Sequence, residues 1–261
     1  MTSSPTGATV TDQEGSPVWS SCARAKVPDG RRQEISGRLA DVRQRIDRAC
    51  ADAGKDAGHV TLVVVTKTWP VSDLRLLYEL GARDLGENRL RELEEKAGQL
   101  TDLDIRWHFV GQVQSNKAAK VARYADVVHS VDSERVALKL SGGAHRFDRT
   151  VDCLVQVSLD AAGAGSGRGG VSHDDVDPVA RALDSAGQVR LRGVMGVAPL
   201  DEDPGGAYAR LLETSRQLTS AYPHAGWVSA GMSDDFEAAI AAGATHVRVG
   251  SAVLGARPVL G

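Results

Sequence analysis

Cysteine is scarce in this chain of 261 residues. The three cysteines, Cys22, Cys50 and Cys153, are far apart and odd in number, so they indicate neither a disulfide framework nor a metal-binding motif. No apolar run approaches the roughly 18 residues of a transmembrane helix, and the N-terminus lacks the apolar segment of a secretory signal. We therefore expect a cytoplasmic protein that does not contact membranes.

Aromatic residues are also few, at 4% of the chain, and neither sign of charge prevails because the formal net charge is −3. Proteins that bind nucleic acids or membrane surfaces need a basic surplus, so we expect neither partner. With so few aromatics, Val, Leu, Ala and Ile must fill the core. Such residues suit the layered interior of a parallel barrel, and about 250 residues can form one as a single domain.

Residues 1–33 differ in composition from the rest of the chain. Ser, Thr, Gly, Pro and charged residues dominate there without any apolar period, which predicts a disordered N-terminal extension. A misassigned start codon would give the same appearance. Residues 34–261 are expected to form one domain. It opens with a helix whose apolar residues recur at spacings of three and four, namely Leu39, Val42, Ile46 and Cys50.

Short apolar runs then alternate with helical patterns. The first run, Val60 to Thr66, lacks polar alternation and predicts a strand buried on both faces. Seven more runs begin near residues 83, 105, 126, 150, 189, 227 and 246. Eight strands joined by helices predict a (β/α)8 TIM barrel. The alternative is an open doubly wound sheet, which more often has a Gly-rich dinucleotide turn after its first strand; none follows Thr66. Residues 160–175 are Gly-rich and predict a mobile loop.

In such barrels the active groups lie at the carboxyl ends of the strands. Lys67 directly follows the first strand, where partial loss of hydration would favour the neutral amine and make it a nucleophile for an aldehyde. A lysine whose amine reaches into solvent is the alternative. Ser229 to Ser233 and Arg248 to Ser251 follow strands 7 and 8, where many barrels bind phosphate, although two ordinary turns would look the same. A phosphorylated aldehyde fits these groups, and a Schiff-base sugar-phosphate aldolase fits them equally.

Several segments carry a resemblance to a known family. The longest is WHFVGQVQSNK at residues 107–117, which is similar to the pattern W-H-F-I-G-x-L-Q-x-N-K. The others are VVVTKT at 63–68, GEN at 86–88, LRGVM at 191–195, SAGMS at 229–233, RVGS at 248–251 and GAR at 255–257. Residues 35–258 thereby resemble the pyridoxal phosphate homeostasis protein family, single-domain barrels that bind pyridoxal 5′-phosphate (PLP, the vitamin B6 cofactor) and are related to the N-terminal domain of alanine racemase.

The chain departs from this family in three places. Ala230 replaces a methionine that the family often has. The N-terminal extension is longer than is typical. The Gly-rich loop is looser than the family's S-K-x-G segment, and its nearest match is Ser166, Arg168 and Gly169. None of these departures removes a residue type that contacts the cofactor.

The resemblance implies a role for each matched residue. Lys67 would hold PLP as an internal aldimine, a Schiff base, and Arg248 would approach the pyridine nitrogen. Because arginine does not readily give up its proton, that nitrogen would stay unprotonated and the ring would be a weak electron sink. Asn88 and Met195 would line the pocket near the ring. The phosphate would be held by Ser229, Ser233, Gly250 and Ser251.

The first functional hypothesis is a non-catalytic protein for intracellular PLP homeostasis, which buffers the cofactor or delivers it to PLP-dependent apoenzymes. The alternative is a weak PLP-dependent amino-acid racemase or lyase. A two-base racemase needs a second domain and a tyrosine facing the lysine, but all four tyrosines map to helices or helix ends and few residues follow the last strand. We expect a monomer.

Trp107 and His108 could be a stacking platform and a catalytic acid, but we interpret both as packing residues at the end of the third strand. The other six histidines show no spacing typical of metal ligands, so no metal site is predicted.

Overall fold

The computed structural model describes residues 29–160 and 169–256. The predicted extension up to residue 28, most of the Gly-rich loop with Ser166 and Arg168, and Arg257 lie outside the described residues. The first helix begins at Asp29 and so includes five residues that the sequence pattern assigned to the extension. Within that stretch, Arg31 donates to Asp73 Oδ2 at 2.7 Å and to the carbonyl of Leu254 at 3.0 Å, and these contacts fix it to the domain.

The described strands form a closed parallel barrel in chain order, which confirms the predicted fold class. The last strand pairs with the first, with Thr61 opposite His246 and Val64 opposite Val249. Within the described ranges the eight strands are β1 Thr61–Val65, β2 Asp84–Glu87, β3 Arg106–Phe109, β4 Val127–Val131, β5 Val151–Gln156, β6 Val189–Met195, β7 Trp227–Ser229 and β8 His246–Val249.

Helices follow the strands in the predicted alternation, and two short 3-10 turns, Ala57–His59 and His173–Asp175, add to them. No helix of the described residues is long and apolar enough to cross a membrane. The helices are α1 Asp29–Asp52, α2 Val71–Glu79, α3 Leu90–Gln99, α4 Ala118–Tyr124, α5 Glu134–Arg146, α6 Val176–Ser185, α7 Pro204–Ala221, α8 Phe236–Ala242 and α9 Ser251–Leu254.

Two local expectations need correction. The sequence pattern predicts a helix from Ser133 to Leu140, but in the structure this helix continues to Arg146 as α5, through Gly142 and Gly143. A Cβ on Gly143 would lie 2.4 Å from the Cα of Ala119, so this glycine lets α4 and α5 pack closely rather than ending the helix. The described end of the predicted mobile loop is anchored to the barrel, because Val171 forms a parallel bridge with Val157.

The barrel interior is more polar than the composition suggested. Val127, Leu154 and Met195 form a small apolar cluster separate from the main core, which lies between the strands and the helices. Rings from three strands also meet: the His108 and His129 centroids are 5.1 Å apart, and the His108 and His246 centroids 6.5 Å. Because β3 and β8 are not neighbours, such contacts are possible only inside the barrel. Aliphatic residues therefore do not fill the interior alone.

Candidate functional site

A cleft of about 360 Å³ opens where the strands end at their carboxyl side. It is the place at which the barrel rule puts active groups. A larger hollow of about 610 Å³ lies between α1 and α8, away from the strand ends. Residues from the ends of β1, β2, β3, β6, β7 and β8 line the cleft. It brings together seven of the eight predicted site residues: Lys67, Asn88, Met195, Ser233, Arg248, Gly250 and Ser251.

The backbone on both sides of Lys67 is fixed. The N–H of Thr66 donates to the carbonyl of Gly86 at 2.9 Å, which extends the β1–β2 pairing by one residue. On the other side Thr68 has a φ of +70°, a left-handed conformation that is costly for a β-branched residue. The N–H of Thr68 donates to Glu92 Oε2 at 2.7 Å, a charge-assisted bond that favours this conformation. The turn that carries Lys67 is therefore held at each end.

A buried ion network under this turn was not predicted. Lys96 Nζ donates to Glu87 Oε1 at 2.7 Å and to the carbonyl of Thr66 at 2.8 Å, and it lies 3.4 Å from Glu92 Oε2. The hydroxyl of Thr66 also donates to Glu87 Oε1, at 2.5 Å. Burial raises the pKa of Glu87, although Lys96 opposes this effect. The network connects α3 and β2 to the two neighbours of Lys67.

The turn after β8 directs its N–H groups at an oxygen. Ser233 Oγ accepts from the N–H of Gly250 at 3.4 Å and of Ala252 at 3.3 Å, and it lies 3.0 Å from Ser251 Oγ. A Cβ on Gly250 would lie 3.2 Å from the carbonyl oxygen of Val65, so this position allows little more than a glycine. This group of hydroxyls and backbone donors has the character of an oxyanion site.

Arg248 reaches the cleft from the barrel interior. Its Nη1 donates to Ser229 Oγ at 2.6 Å and its Nη2 to the carbonyl of Gly196 at 2.9 Å. Burial lowers the pKa of Arg248 to about 10, against the charge of Asp235, which raises it. The guanidinium therefore remains a cation and a pure hydrogen-bond donor at neutral pH.

Ser229 is placed differently from the expectation. The side chain is fully buried, and the residue does not line the cleft. Its hydroxyl contacts Arg248 on one side and His129 Nδ1, at 2.8 Å, on the other. Because β7 ends at this residue with its side chain turned into the barrel, Ser229 supports the arginine instead of contributing a hydroxyl at the turn of Ser233.

The long matched segment shapes the cleft through its glycine. A Cβ on Gly111 would lie 2.0 Å from the carbonyl oxygen of Asn88, so only glycine permits this approach. Trp107 packs in the main core, as predicted. His108 does more than pack, because its Nδ1 lies 2.8 Å from His129 Nε2 and its Nε2 lies 2.9 Å from Asp84 Oδ1. The four tyrosines, all described, lie on helices or at a helix end and not in the cleft.

One sequence signal could have revealed the polar interior. On β8 His246 and Arg248 alternate with Val247 and Val249. Such a period of two within strands that are buried on both faces indicates polar side chains on the inner face. No comparable local signal links Glu87, Glu92 and Lys96 to the turn of Lys67.

Residues 38–258 match the family described as alanine racemase, N-terminal domain. The chain is 37% identical over 246 residues to the pyridoxal phosphate homeostasis protein of Mycobacterium tuberculosis, which covers 88% of this chain and 95% of that protein. It is 39% identical over 225 residues to the protein of the same name from Corynebacterium glutamicum, which covers 84% and 100% of the two chains.

A solved structure gives the same result. The structure of PipY from Synechococcus elongatus with PLP bound is similar to this barrel with a TM-score of 0.72 and 32% sequence identity, covering 85% of this chain and all of that one. Family profile, sequence identity and fold agree along nearly the whole described barrel. The chain therefore belongs to the pyridoxal phosphate homeostasis protein family.

Proposed function

We propose that this protein binds PLP in the cleft at the strand ends and serves intracellular PLP homeostasis, by buffering the cofactor or delivering it to PLP-dependent apoenzymes. The observation that carries the proposal is the convergence of an amine, a guanidinium and an oxyanion site on one cavity. Relatives that bear the PLP homeostasis name, and a PipY structure with PLP bound, support it. The scarcity of cysteine supports action in the cytoplasm. We further propose that the protein acts as a monomer.

The described residues fit PLP in two respects. Asn88 lines the cleft, and its buried Oδ1 has no hydrogen-bond partner among the described groups, so a polar ligand would satisfy it. The Ser233 hydroxyl already accepts two backbone N–H groups, and the oxygens of a phosphate could take up the same donors.

Different residues of this protein would bind the two ends of the ligand. Lys67 would hold the aldehyde end covalently, while Ser233, Gly250 and Ser251 would bind the phosphate. Arg248 would donate to the ring nitrogen and, as a pure donor, would leave it without a proton. Asn88 and Met195 would line the ring pocket. When bound, PLP supplies a reactive aldehyde and a ring that can accept electrons.

The arrangement of acids and bases favours a carrier over an enzyme. Tyr208, the most buried of the four tyrosines, donates its hydroxyl to Asp235 at 2.7 Å, and burial raises its pKa further from neutrality. No tyrosine of the chain faces Lys67 across the cleft. A two-base exchange of a substrate Cα proton therefore lacks the tyrosine that would serve as its second base.

The proposal is tested by adding PLP to the purified protein, reducing with borohydride and locating the adduct by mass spectrometry. We expect the label on Lys67, no adduct in Lys67→Ala, and an unchanged adduct in Lys139→Ala, which removes an exposed lysine of α5. A release assay with a PLP-requiring apoenzyme then measures delivery. Protein that takes up no PLP would overturn the proposal, and sustained exchange of amino-acid Cα protons that requires Lys67 would favour the racemase or lyase alternative.

A further inference from the structure

A continuous hydrogen-bonded chain of side chains, all buried except the last, begins at Arg248 and crosses the barrel interior to Asp84. Arg248 Nη1 lies 2.6 Å from Ser229 Oγ, and Ser229 Oγ lies 2.8 Å from His129 Nδ1. His129 Nε2 lies 2.8 Å from His108 Nδ1. His108 Nε2 lies 2.9 Å from Asp84 Oδ1. Five side chains from five residues thus form four consecutive hydrogen bonds, and β2, β3, β4, β7 and β8 contribute one residue each.

The chemistry of the two ends assigns the protons at every link. Arg248 can only donate, so Ser229 Oγ accepts from it. Asp84 accepts: burial acts to raise its pKa, but the hydrogen bond from His108 and the charge of Arg106 keep this pKa below its usual value. His108 therefore carries its proton on Nε2 and accepts on Nδ1.

The proton positions in the middle of the hydrogen-bond chain follow from those at its two ends. Burial lowers the pKa of both His108 and His129, so each ring carries one proton. His129 must then donate through Nε2 to His108 and accept through Nδ1 from the hydroxyl of Ser229. Each of the four hydrogen bonds has one donor and one acceptor, and all four donate in the direction from Arg248 to Asp84.

The hydrogen-bond chain connects opposite ends of the barrel. Asp84 is the first residue of β2, at the amino end of the strands, with 24% of its side chain exposed. Arg248 lines the cleft at the carboxyl end. His246, also inside the barrel, bonds through Nδ1 to Thr245 Oγ1 at 2.8 Å and contacts the other two rings only by packing. It is therefore a natural control for the chain.

We propose that Ser229, His129, His108 and Asp84 are positioning residues that hold the Arg248 guanidinium through a proton-ordered hydrogen-bond chain, and that PLP retention thereby depends on a carboxylate at the far end of the barrel. The dependence of PLP retention rests on the proposed function, whereas the proton order of the chain does not. Without the carboxylate, His108 Nε2 has no hydrogen-bond acceptor. Either neutral tautomer of each histidine then becomes available along the whole hydrogen-bond chain.

The first test uses the full-length protein without PLP. Side-chain ¹⁵N NMR near neutral pH should show His108 and His129 neutral with the proton on Nε2, and Asp84→Ala should produce a mixture of tautomers. A cationic ring, or a proton on Nδ1 of either residue in the wild type, would overturn the proposed order.

The second test measures the rate of PLP release to an acceptor apoenzyme. We expect about tenfold faster release from Ser229→Ala, which removes the acceptor of a charged donor, and about threefold faster release from Asp84→Ala. Asp84→Asn keeps an oxygen acceptor and should restore most of the wild-type rate. His246→Phe and Asp104→Ala, the latter an exposed carboxylate on the same rim, should release PLP as the wild type does.

The outcomes separate the two proposals. Wild-type release from a folded Asp84→Ala variant would overturn the long-range role. If the wild type takes up no PLP, the proposed function fails, and the NMR result alone then decides whether the ordered chain stands.

Discussion

Lys96 Nζ on α3 donates to the backbone carbonyl of Thr66 at 2.8 Å, so a buried cation is bonded to the residue directly before Lys67. The same amine pairs with the fully buried Glu87, and Glu92 at the edge of the network accepts from the residue directly after Lys67. The position of Lys67 is thus determined by charges that come from the next β-α unit of the barrel.

The first prediction concerns this ion network. Lys96→Met leaves Glu87 with no cation in a buried site, and breaking a buried pair in this way costs about 3–5 kcal/mol. We expect a loss of about 3 kcal/mol in the free energy of unfolding, measured by urea denaturation. Lys139→Met, at an exposed position of α5, should change stability by less than about 0.5 kcal/mol. The double variant Glu87→Gln/Lys96→Met should recover part of the loss, and equal losses for both lysines would contradict this account.

The second prediction concerns the backbone at Thr68. The residue has a φ of +70°, and its buried Oγ1 has no hydrogen-bond partner among the described groups. Thr68→Gly removes both costs and should stabilise the protein without PLP by about 1 kcal/mol. It also frees the turn of Lys67, so covalent attachment of PLP should slow.

Gln188 provides the comparison for Thr68. It has a φ of +65° directly before β6, away from the cleft. Gln188→Gly should give a similar gain in stability, measured by thermal unfolding, with an unchanged rate of PLP attachment. A Thr68→Gly variant that attaches PLP at the wild-type rate would show that the strained turn does not position the lysine.

The third prediction concerns Gly111. Because a Cβ there would lie 2.0 Å from the carbonyl oxygen of Asn88, Gly111→Ala must displace the backbone that carries Asn88 into the cleft. We expect the Kd for PLP, measured by equilibrium titration, to rise about tenfold or more. Gly98→Ala on α3 meets no atom within 4 Å and should leave the Kd unchanged. Equal affinities of the two variants for PLP would show that Gly111 does not shape the binding site.

The fourth prediction concerns pH. Burial, with a smaller contribution from the charge of Arg106, lowers the pKa of His246 from 6.5 to about 3. The unfolded chain therefore binds a proton at this residue between pH 6.5 and about 3 while the folded protein does not, so stability must fall as the pH falls through that window. One such histidine contributes about 1.4 kcal/mol per pH unit once the unfolded state is protonated.

The contribution of His246 is isolated by a difference measurement. His246→Phe keeps the ring packing on Trp227, whose centroid lies 4.5 Å from that of His246, and removes the titrating group. The free energy of unfolding of this variant should depend less steeply on pH below 6.5 than that of the wild type, with equal slopes above pH 7. Equal slopes below 6.5 would mean that His246 is protonated in the folded protein.

Much of the fold could be predicted from local sequence patterns, because residues that are neighbours in the sequence determine whether a segment forms a strand or a helix. The run at Val60 to Thr66 predicted β1 within one residue at each end, and the run expected to begin near residue 246 matched the start of β8. The helix through Gly142 and Gly143 was cut short because the reason for those glycines, the close approach of Ala119, lies on another helix.

The candidate site was predictable where it depends on strand ends. Lys67, Ser233 and Arg248 could be assigned to one cleft because closure of a parallel barrel gathers every carboxyl end at the same mouth. Ser229 was misplaced since its role depends on the direction of one side chain at the final residue of β7, inside rather than above the barrel.

The sequence by itself determined the number and order of the elements, the polar and apolar faces of the strands and the residue types available at their ends. Only the tertiary structure decided which buried charges and hydrogen-bonding groups meet: Lys96 with Glu87 and Thr66, and the line from Arg248 to Asp84. The physical reason is that periodicity acts over a few neighbouring residues, whereas a hydrogen bond needs two atoms within about 3 Å of each other, and only closure of the barrel provides that distance.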